Sequence, residues 1–385
     1  MILAAEICFW LTGIHMLYTF IGYPILLWGW ARFSQPQPEV EEQTIPDISL
    51  IIAAYNEAAV LPSKLDNCRS LDYPAESMDV LIGSDGSTDE TAAIAHRAGA
   101  QVMEFKERRG KAAVLNALVA AAEGDILVFS DANTMYRPEA LRRLIRPLAD
   151  PAVGGVCGCL ELTAPDGSIA GHGEQLYWRY ENHLKEWEGA VGTLVGATGG
   201  IYAIRRELFR PLPEDAGIPD DLLTPLHVAA AGYRVAYAPD AIGVEPMPAD
   251  TNAELARKTR IGAQDFQVLP DLMVYVHPKY GFLALALLSH KIFRWLMPLA
   301  MIDLLGLSFI LRHNPMYEWV WLAQVAFYGL AFVGMIGTQL GVTNSILTAP
   351  AYFVLMHAAL LKGFFSAWRR KPSPYWNTIR KLKRI

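Results

Sequence analysis

Asp131 and Asn133 flank a single alanine, so in extended backbone their side chains leave on the same side. A carboxylate beside an amide oxygen is a pair of hard donors for Mg²⁺ or Mn²⁺, with a bound diphosphate completing the shell. The same tripeptide also makes an ordinary surface turn. Asp85 lies in Ser84-Asp85-Gly86-Ser87-Thr88-Asp89, where it serves either a ligand or the turn itself. Arg108, Arg109 and Lys111 surround Gly110, a group suited to phosphates and equally to a solvated face. Asp220 and Asp221 open an apolar stretch, where they either complement a helix dipole or supply a general base. Arg257, Lys258 and Arg260 form a cluster that would grip a diphosphate or bind lipid headgroups.

The elements that must hold these residues alternate. Short apolar runs at 47–54, 78–83, 101–105 and 125–129 predict buried parallel strands. Helical stretches at 55–71, 88–98 and 112–122 separate them, with Thr88 as the expected N-cap of the second. That spacing predicts an α/β fold with a mostly parallel, doubly wound sheet. Such sheets bind ligands outside the carboxyl ends of their strands. Three of the runs end in polar loops, at Asn56/Glu57, Asp85 and Asp131/Asn133. No G-x-G-x-x-G follows the first run and no Walker lysine appears, which excludes dinucleotide and P-loop readings.

Charged residues make up 19 % of the 385, against about 25 % in an average soluble domain, and mean hydropathy is +0.21. The net charge of −6 leaves no global basic field to recruit nucleic acid. The four cysteines are too few for a disulfide framework, and Cys157 and Cys159 read as buried strand thiols. The apolar excess lies at the two ends. Residues 7–33 are long enough to span a bilayer and read as a retained anchor, with Arg32 on the inner side and Glu6 on the outer. Three apolar blocks follow Gly281. In the first, His290, Lys291 and Arg294 are expected at the membrane surface, on a segment lying in the interface. Its second half would cross, carrying Asp303 either as an interior contact between helices or as part of a substrate path. The second block is 319–340. The third, 346–365, is expected to be re-entrant or interfacial, because the tail at 369–385 has seven Lys/Arg and no acid, which places it in the cytoplasm.

Seven motifs occur in order between residues 47 and 268: AAYNEA (53–58), SDGSTDET (84–91), GKAAVLNAL (110–118), SDAN (130–133), TGGIYAIRREL (198–208), PDDLLTPLHVAAAGYRVAYAP (219–239) and RKTRIGAQ (257–264). Together they resemble a membrane-integrated family 2 glycosyltransferase of GT-A fold, related to bacterial polysaccharide and β-glycan synthases. YWRYE (177–181) also resembles a membrane-bound bacterial subgroup. The resemblance implies that Tyr55, Glu57 and Asp85 hold the base and ribose of a nucleotide sugar, a uridine one. It implies that Lys111 and Arg257 lie near the donor, Asp131 on its ribose–diphosphate side, and Asn133 at the metal-ligand position. Gly199, Gly200, Asp220, Tyr177 and Trp178 would form the acceptor and sugar rim. Asp221 would be the base and Arg260 would brace the leaving diphosphate, in a single displacement with inversion.

The implied layout is an anchor at 1–33, a linker at 34–46, a cytoplasmic GT-A domain at 47–270, interfacial and transmembrane helices at 271–368, and a basic tail at 369–385. The expected location is a bacterial-type inner membrane, crossed more than once. Three departures from the family pattern stand out: Ser84 for the first Asp of D-D-G-S, Asn133 for an Asp, and Arg257 with Ile261 for the Gln and Trp of Q-x-x-R-W. The last favours transfer of one sugar to a lipid-linked or saccharide acceptor over processive synthesis of a β-glycan. A membrane component without turnover is the third reading.

Overall fold

Strand β1 (Ile48–Ala54) is buried along its whole length and holds the centre of the fold. The computed structural model describes residues 1–34, 45–163, 169–214, 217–246, 251–340, 344–369 and 375. Most of the expected linker and tail lie outside them.

Successive residues of β1 serve opposite faces of the sheet. Ile51 and Ala53 join the apolar cluster under helix α4 (Lys111–Ala121), and Ile48, Leu50 and Ile52 join the cluster under α2 (Leu61–Arg69) and α5 (Ala140–Ile145). A parallel sheet covered on both faces needs such a continuous apolar strand. β2 (Met78–Asp85), β3 (Gln101–Phe105) and β4 (Ile126–Asp131) pair parallel with it in the order β3-β2-β1-β4. Gly83 on β2 lets α4 approach, since a Cβ there would stand 2.3 Å from Val114.

The remaining half of the sheet is mixed, which narrows the doubly wound expectation to its first four strands. β7 (Tyr202–Arg205) runs antiparallel to β4 and to β6 (Val153–Thr163). The long β8 (Arg234–Pro246) runs parallel to β6, and β5 (Met135–Tyr136) pairs antiparallel at the edge. The full order is β3-β2-β1-β4-β7-β6-β8-β5.

Thr88 is not an N-cap. Helix α3 (Thr91–Arg97) begins three residues later, because Asp89 Oδ1 accepts the Thr91 N–H at 3.0 Å and turns the chain first. The first helix likewise begins only at Leu61, after a loop in which Asn56 adopts φ 53° and its side chain accepts the Thr88 N–H at 2.8 Å. That bond ties the β1 and β2 loops together.

Among the described residues three helices are long and apolar enough to cross a membrane: α1 (Ile2–Phe33), α11 (Pro315–Gln339) and α12 (Ser345–Arg369). Helices α9 (Phe282–Trp295) and α10 (Met297–Leu311) form a further pair bent by 59°. The bend lies in the first C-terminal block, while α12, which spans the third, runs for 25 residues. Asp303 of α10 accepts from Thr12 Oγ1 of α1 at 2.7 Å, the expected contact between helices.

The expected surface placement of His290 and its neighbours is overturned. His290 is buried, with Nδ1 2.7 Å from Glu188 and Nε2 3.1 Å from Glu181, both on α6 (Ile169–Val191). Arg294 reaches Glu181 at 2.8 Å and Lys291 at 3.6 Å. Two buried glutamates supply partners that the α9 cations would otherwise have to find in headgroups. Cys157 is buried in β6 as expected, and the described cysteines are all free thiols.

Candidate active site

The carboxyl ends of β1, β2 and β4 open on one side of the sheet, and two helix starts meet them there. Asp85, at the end of β2, is fully buried, and its carboxylate accepts the N–H of Arg109 at 2.5 Å and of Gly110 at 3.1 Å. Gly110, at φ 95°, is the N-cap of α4, so Asp85 fixes where that helix begins and hence where Lys111 points. Arg108 lies flat over the Tyr55 ring at 3.6 Å, with its Nε 3.9 Å from Asp85. Glu57 is buried, and its backbone N–H donates to Thr91 Oγ1 at 2.9 Å.

Lys111 Nζ stands 3.2 Å from Asp131 and 3.0 Å from Asp220, bridging β4 to the first residue of α7 (Asp220–Ala230). Burial works against the ammonium charge, but Asp131, Asp220 and Asp221 outweigh it and hold the lysine well above its usual range. The second oxygen of Asp220 accepts from Tyr202 at 3.3 Å. Asp221 meets the chain just before β7. Its carbonyl accepts the Ala197 N–H at 2.7 Å, and a Cβ on Gly199 would stand 3.3 Å from its Oδ2. Burial and the adjacent Asp220 push the Asp221 carboxyl up to about 6 against the pull of Lys111. A carboxyl poised there is ionised at neutral pH and still basic enough to take a proton.

Gly200 packs against Thr134, where a Cβ would fall 2.5 Å from Oγ1; its glycine is a packing requirement of the loop that follows β4. Lys64, fully buried, holds that loop from behind by donating to Ser130 Oγ at 2.8 Å and to the Thr134 carbonyl at 2.6 Å. Asn133 donates its amide to Glu245. Asp131, Asn133 and Glu245 are all hard oxygen donors and fit Mg²⁺ or Mn²⁺ in kind. Among the described residues no three His, Cys, Asp or Glu side chains gather as a metal site, so a cation here would draw the rest of its shell from a ligand.

Arg260, on α8 (Thr251–Leu272), is half-buried. Burial and Arg257 lower its pKa, while Asp131, Asp221 and Asp220 act in the opposite sense, which places its guanidinium in the field of the carboxylate group. Arg257 forms a two-pronged pair with Glu254 at 2.8 and 2.7 Å. Tyr177 lies between Lys258 and Arg294, at 5.0 and 5.5 Å from its ring, and touches Trp178 edge-on at 6.0 Å. The geometry thus gathers Asp85, Lys111, Asp131, Asp220, Asp221, Gly199 and Arg260, and leaves Arg257 and Tyr177 engaged with other charges.

The sequence reading did not single out Glu245, Lys64 or Asp265 of α8, whose carboxyl burial raises to about 7. Each lies outside the matching motifs or in a stretch with no distinctive pattern, so only the folded arrangement reveals it.

Residues 49–212 match the family described as glycosyl transferase family 2. An N-acetylglucosaminyltransferase of Rhizobium sp. is 27 % identical over 244 residues, which are 58 % of this chain and 53 % of that protein. A beta-monoglucosyldiacylglycerol synthase of Synechocystis sp. is 35 % identical over 118 residues, which are 29 % of this chain and 25 % of that protein. The chain therefore spans about half of the first relative's length and a quarter of the second's. A solved mannosyltransferase of Pyrobaculum calidifontis, in complex with GDP-Man and Mn²⁺, superposes with a TM-score of 0.67 at 24 % identity, covering 93 % of this chain and 99 % of its own. That likeness extends over the sheet and the flanking helices alike, and gives the GT-A fold.

Proposed function

We propose that this chain, whose residues 49–212 match the glycosyl transferase family 2 model, moves one sugar from a nucleotide-sugar donor, a UDP-sugar, to a lipid-linked or saccharide acceptor at the cytoplasmic membrane face. The observation that carries this reading is the half-buried Asp221 carboxylate, raised to about 6 and set beside Gly199, with the Lys111–Asp131–Asp220 group next to it.

In the proposed step Asp221 takes the proton of the acceptor hydroxyl. The acceptor oxygen bonds to the anomeric carbon as the carbon–oxygen bond to the diphosphate breaks, and the configuration inverts. Lys111 and Arg260 hold positive charge where the diphosphate departs. Asp131 and the amide oxygen of Asn133 would hold Mg²⁺ or Mn²⁺, which neutralises charge on the leaving diphosphate when bound. Tyr55 with Arg108, Glu57 and Asp85 would line the nucleoside side, and Gly199, Gly200, Tyr177 and Trp178 the acceptor side. The long apolar helices α1, α11 and α12 support a membrane location.

The test is nucleotide release by the detergent-solubilised full chain from UDP-glucose, UDP-N-acetylglucosamine and GDP-mannose. It is run with Mg²⁺, Mn²⁺ or EDTA, with native lipids as acceptor and Asp221→Asn as control. Release from one donor, lost in EDTA and in the variant, is the expected result. Release that survives Asp221→Asn overturns the assignment of the base, and release from no donor overturns the transfer itself. Sizing the product separates single transfer from a β-glycan synthase.

A further inference from the structure

Helix α6 carries polar residues on two sides. Glu181, Leu184 and Glu188, spaced three and four residues apart, share one side. That side is fully engaged: Glu181 and Glu188 with His290 and Arg294 of α9, Glu188 also with the Tyr23 hydroxyl at 2.8 Å, and Leu184 against Tyr23 and Leu27 of α1. Trp178, Asn182 and Lys185, spaced four and three apart, share the other side. Asn182 reaches β6 and Lys185 reaches the loop before β7, with Trp178 beside the lysine.

This second side is chemically incomplete. Lys185 is only 4 % exposed, yet its ammonium makes one hydrogen bond, to Thr198 Oγ1 at 2.5 Å. Its other neighbour is the Trp178 ring, 5.4 Å from Nζ. Among the described residues no carboxylate lies within ion-pair distance of it. An ammonium has three donors, and a buried cation without a counter-charge is costly to keep. Asn182 donates to Cys159 Sγ at 3.4 Å, while its Oδ1 is buried with no hydrogen-bond partner. The loose ends lie close to the candidate base. Thr198, the residue on which Lys185 rests, precedes Gly199, whose Cβ position would be 3.3 Å from Asp221 Oδ2.

A buried ammonium with spare donors, an orphaned amide oxygen and an indole on one helix face make a set with a definite complement. Aromatic rings take the apolar face of a sugar, an amide oxygen accepts from a hydroxyl, and an uncompensated cation calls for an oxyanion. We propose that Trp178, Asn182, Lys185 and Thr198 form an acceptor subsite for a sugar residue bearing an oxyanion, a carboxylate or a phosphate, next to the hydroxyl that is glycosylated. This rests on the reading of Asp221 as the base. Lys185 pairs with the anion, Asn182 Oδ1 accepts from a ring hydroxyl, and Trp178 covers the ring.

The test is calorimetric binding of three matched glycosides to the detergent-solubilised full chain: p-nitrophenyl β-glucoside, its uronic acid counterpart and its 6-phosphate. The charged pair is expected to bind at least about tenfold more tightly than the neutral one, the size of one charge-assisted hydrogen bond. The stronger of the two identifies carboxylate or phosphate as the natural group. Lys185→Met should abolish the preference and Lys185→Arg should keep it, while Trp178→Leu should weaken all three alike. Equal binding of the three glycosides, binding of none, or a preference that survives Lys185→Met overturns the proposal. Nucleotide release by the wild-type protein is read in parallel. If it fails while charged glycosides still bind, the transferase reading falls and the anion subsite stands; if it succeeds while charge makes no difference, the reverse holds.

Discussion

Lys111 and Asp220, the first residues of two different helices, meet at 3.0 Å across the mouth of the sheet. The same ammonium reaches Asp131 at 3.2 Å, so one cation organises three elements: α4, β4 and α7. Asp221, the next residue along, is left with its carboxylate unspent by that bridge.

The rate of transfer should therefore follow the ionisation of Asp221. Its carboxyl lies at about 6, raised by burial and then by Asp220, and it works only when deprotonated. Activity should climb as pH rises through 6 and level off above it. Asp220→Asn removes a negative neighbour, lowers the Asp221 pKa and should move that limb to lower pH. A pH–rate profile of kcat/KM in both proteins checks the direction.

Lys111→Met should move the same limb the opposite way, because its ammonium, ahead of that of Lys291, holds the Asp221 pKa down. It also leaves Asp220 buried with one partner fewer, at a cost of roughly 2 kcal/mol, below the figure for a fully buried broken pair because Lys111 is partly exposed. A lower melting temperature together with a limb shifted to higher pH is the expected pattern. An unshifted limb would separate Lys111 from the control of Asp221.

Asn133 donates to Glu245, and this predicts how a more usual ligand would behave there. Asn133→Asp places two carboxylates against each other, so without added metal the variant should melt below the parent. Mn²⁺ should restore it and stabilise it more than it does the parent, since a second charged ligand strengthens a hard-cation site. Thermal melts of both proteins with EDTA and with Mn²⁺ measure the difference. Equal responses would remove residue 133 from the metal site.

Helices α8 and α12 touch backbone to backbone at small residues. A Cβ on Gly363 would stand 2.8 Å from both Ala263 N and Thr259 O, and one on Gly262 would stand 2.9 Å from Leu360. Gly363→Leu should force the helices apart at a cost of about 3 kcal/mol, the upper range for overpacking. Arg260, one turn from this crossing, would move with α8, so kcat should fall while the affinity of the nucleoside side changes little. Donor binding measured beside turnover tests this.

Read alone, the sequence determined the strands of the first half-sheet, the three polar loops at their carboxyl ends and the apolar character of the chain ends. These follow from local periodicity: an unbroken apolar run must be buried on both faces, and a long apolar helix must find lipid or other apolar surface. The seven motifs added a resemblance to family 2 glycosyltransferases, and residues 49–212 match that family. The tertiary structure decided which charges meet. That His290 and Arg294 turn inward to Glu181 and Glu188 depends on α6 lying against α9, over a hundred residues away in sequence. The bridge of Lys111 to Asp131 and Asp220, the turn of Asn133 toward Glu245, and the uncompensated Lys185 are likewise products of long-range packing. Electrostatic partners are chosen by distance in space and by the loss of solvent around them, and neither quantity is written in the spacing of residues along a chain.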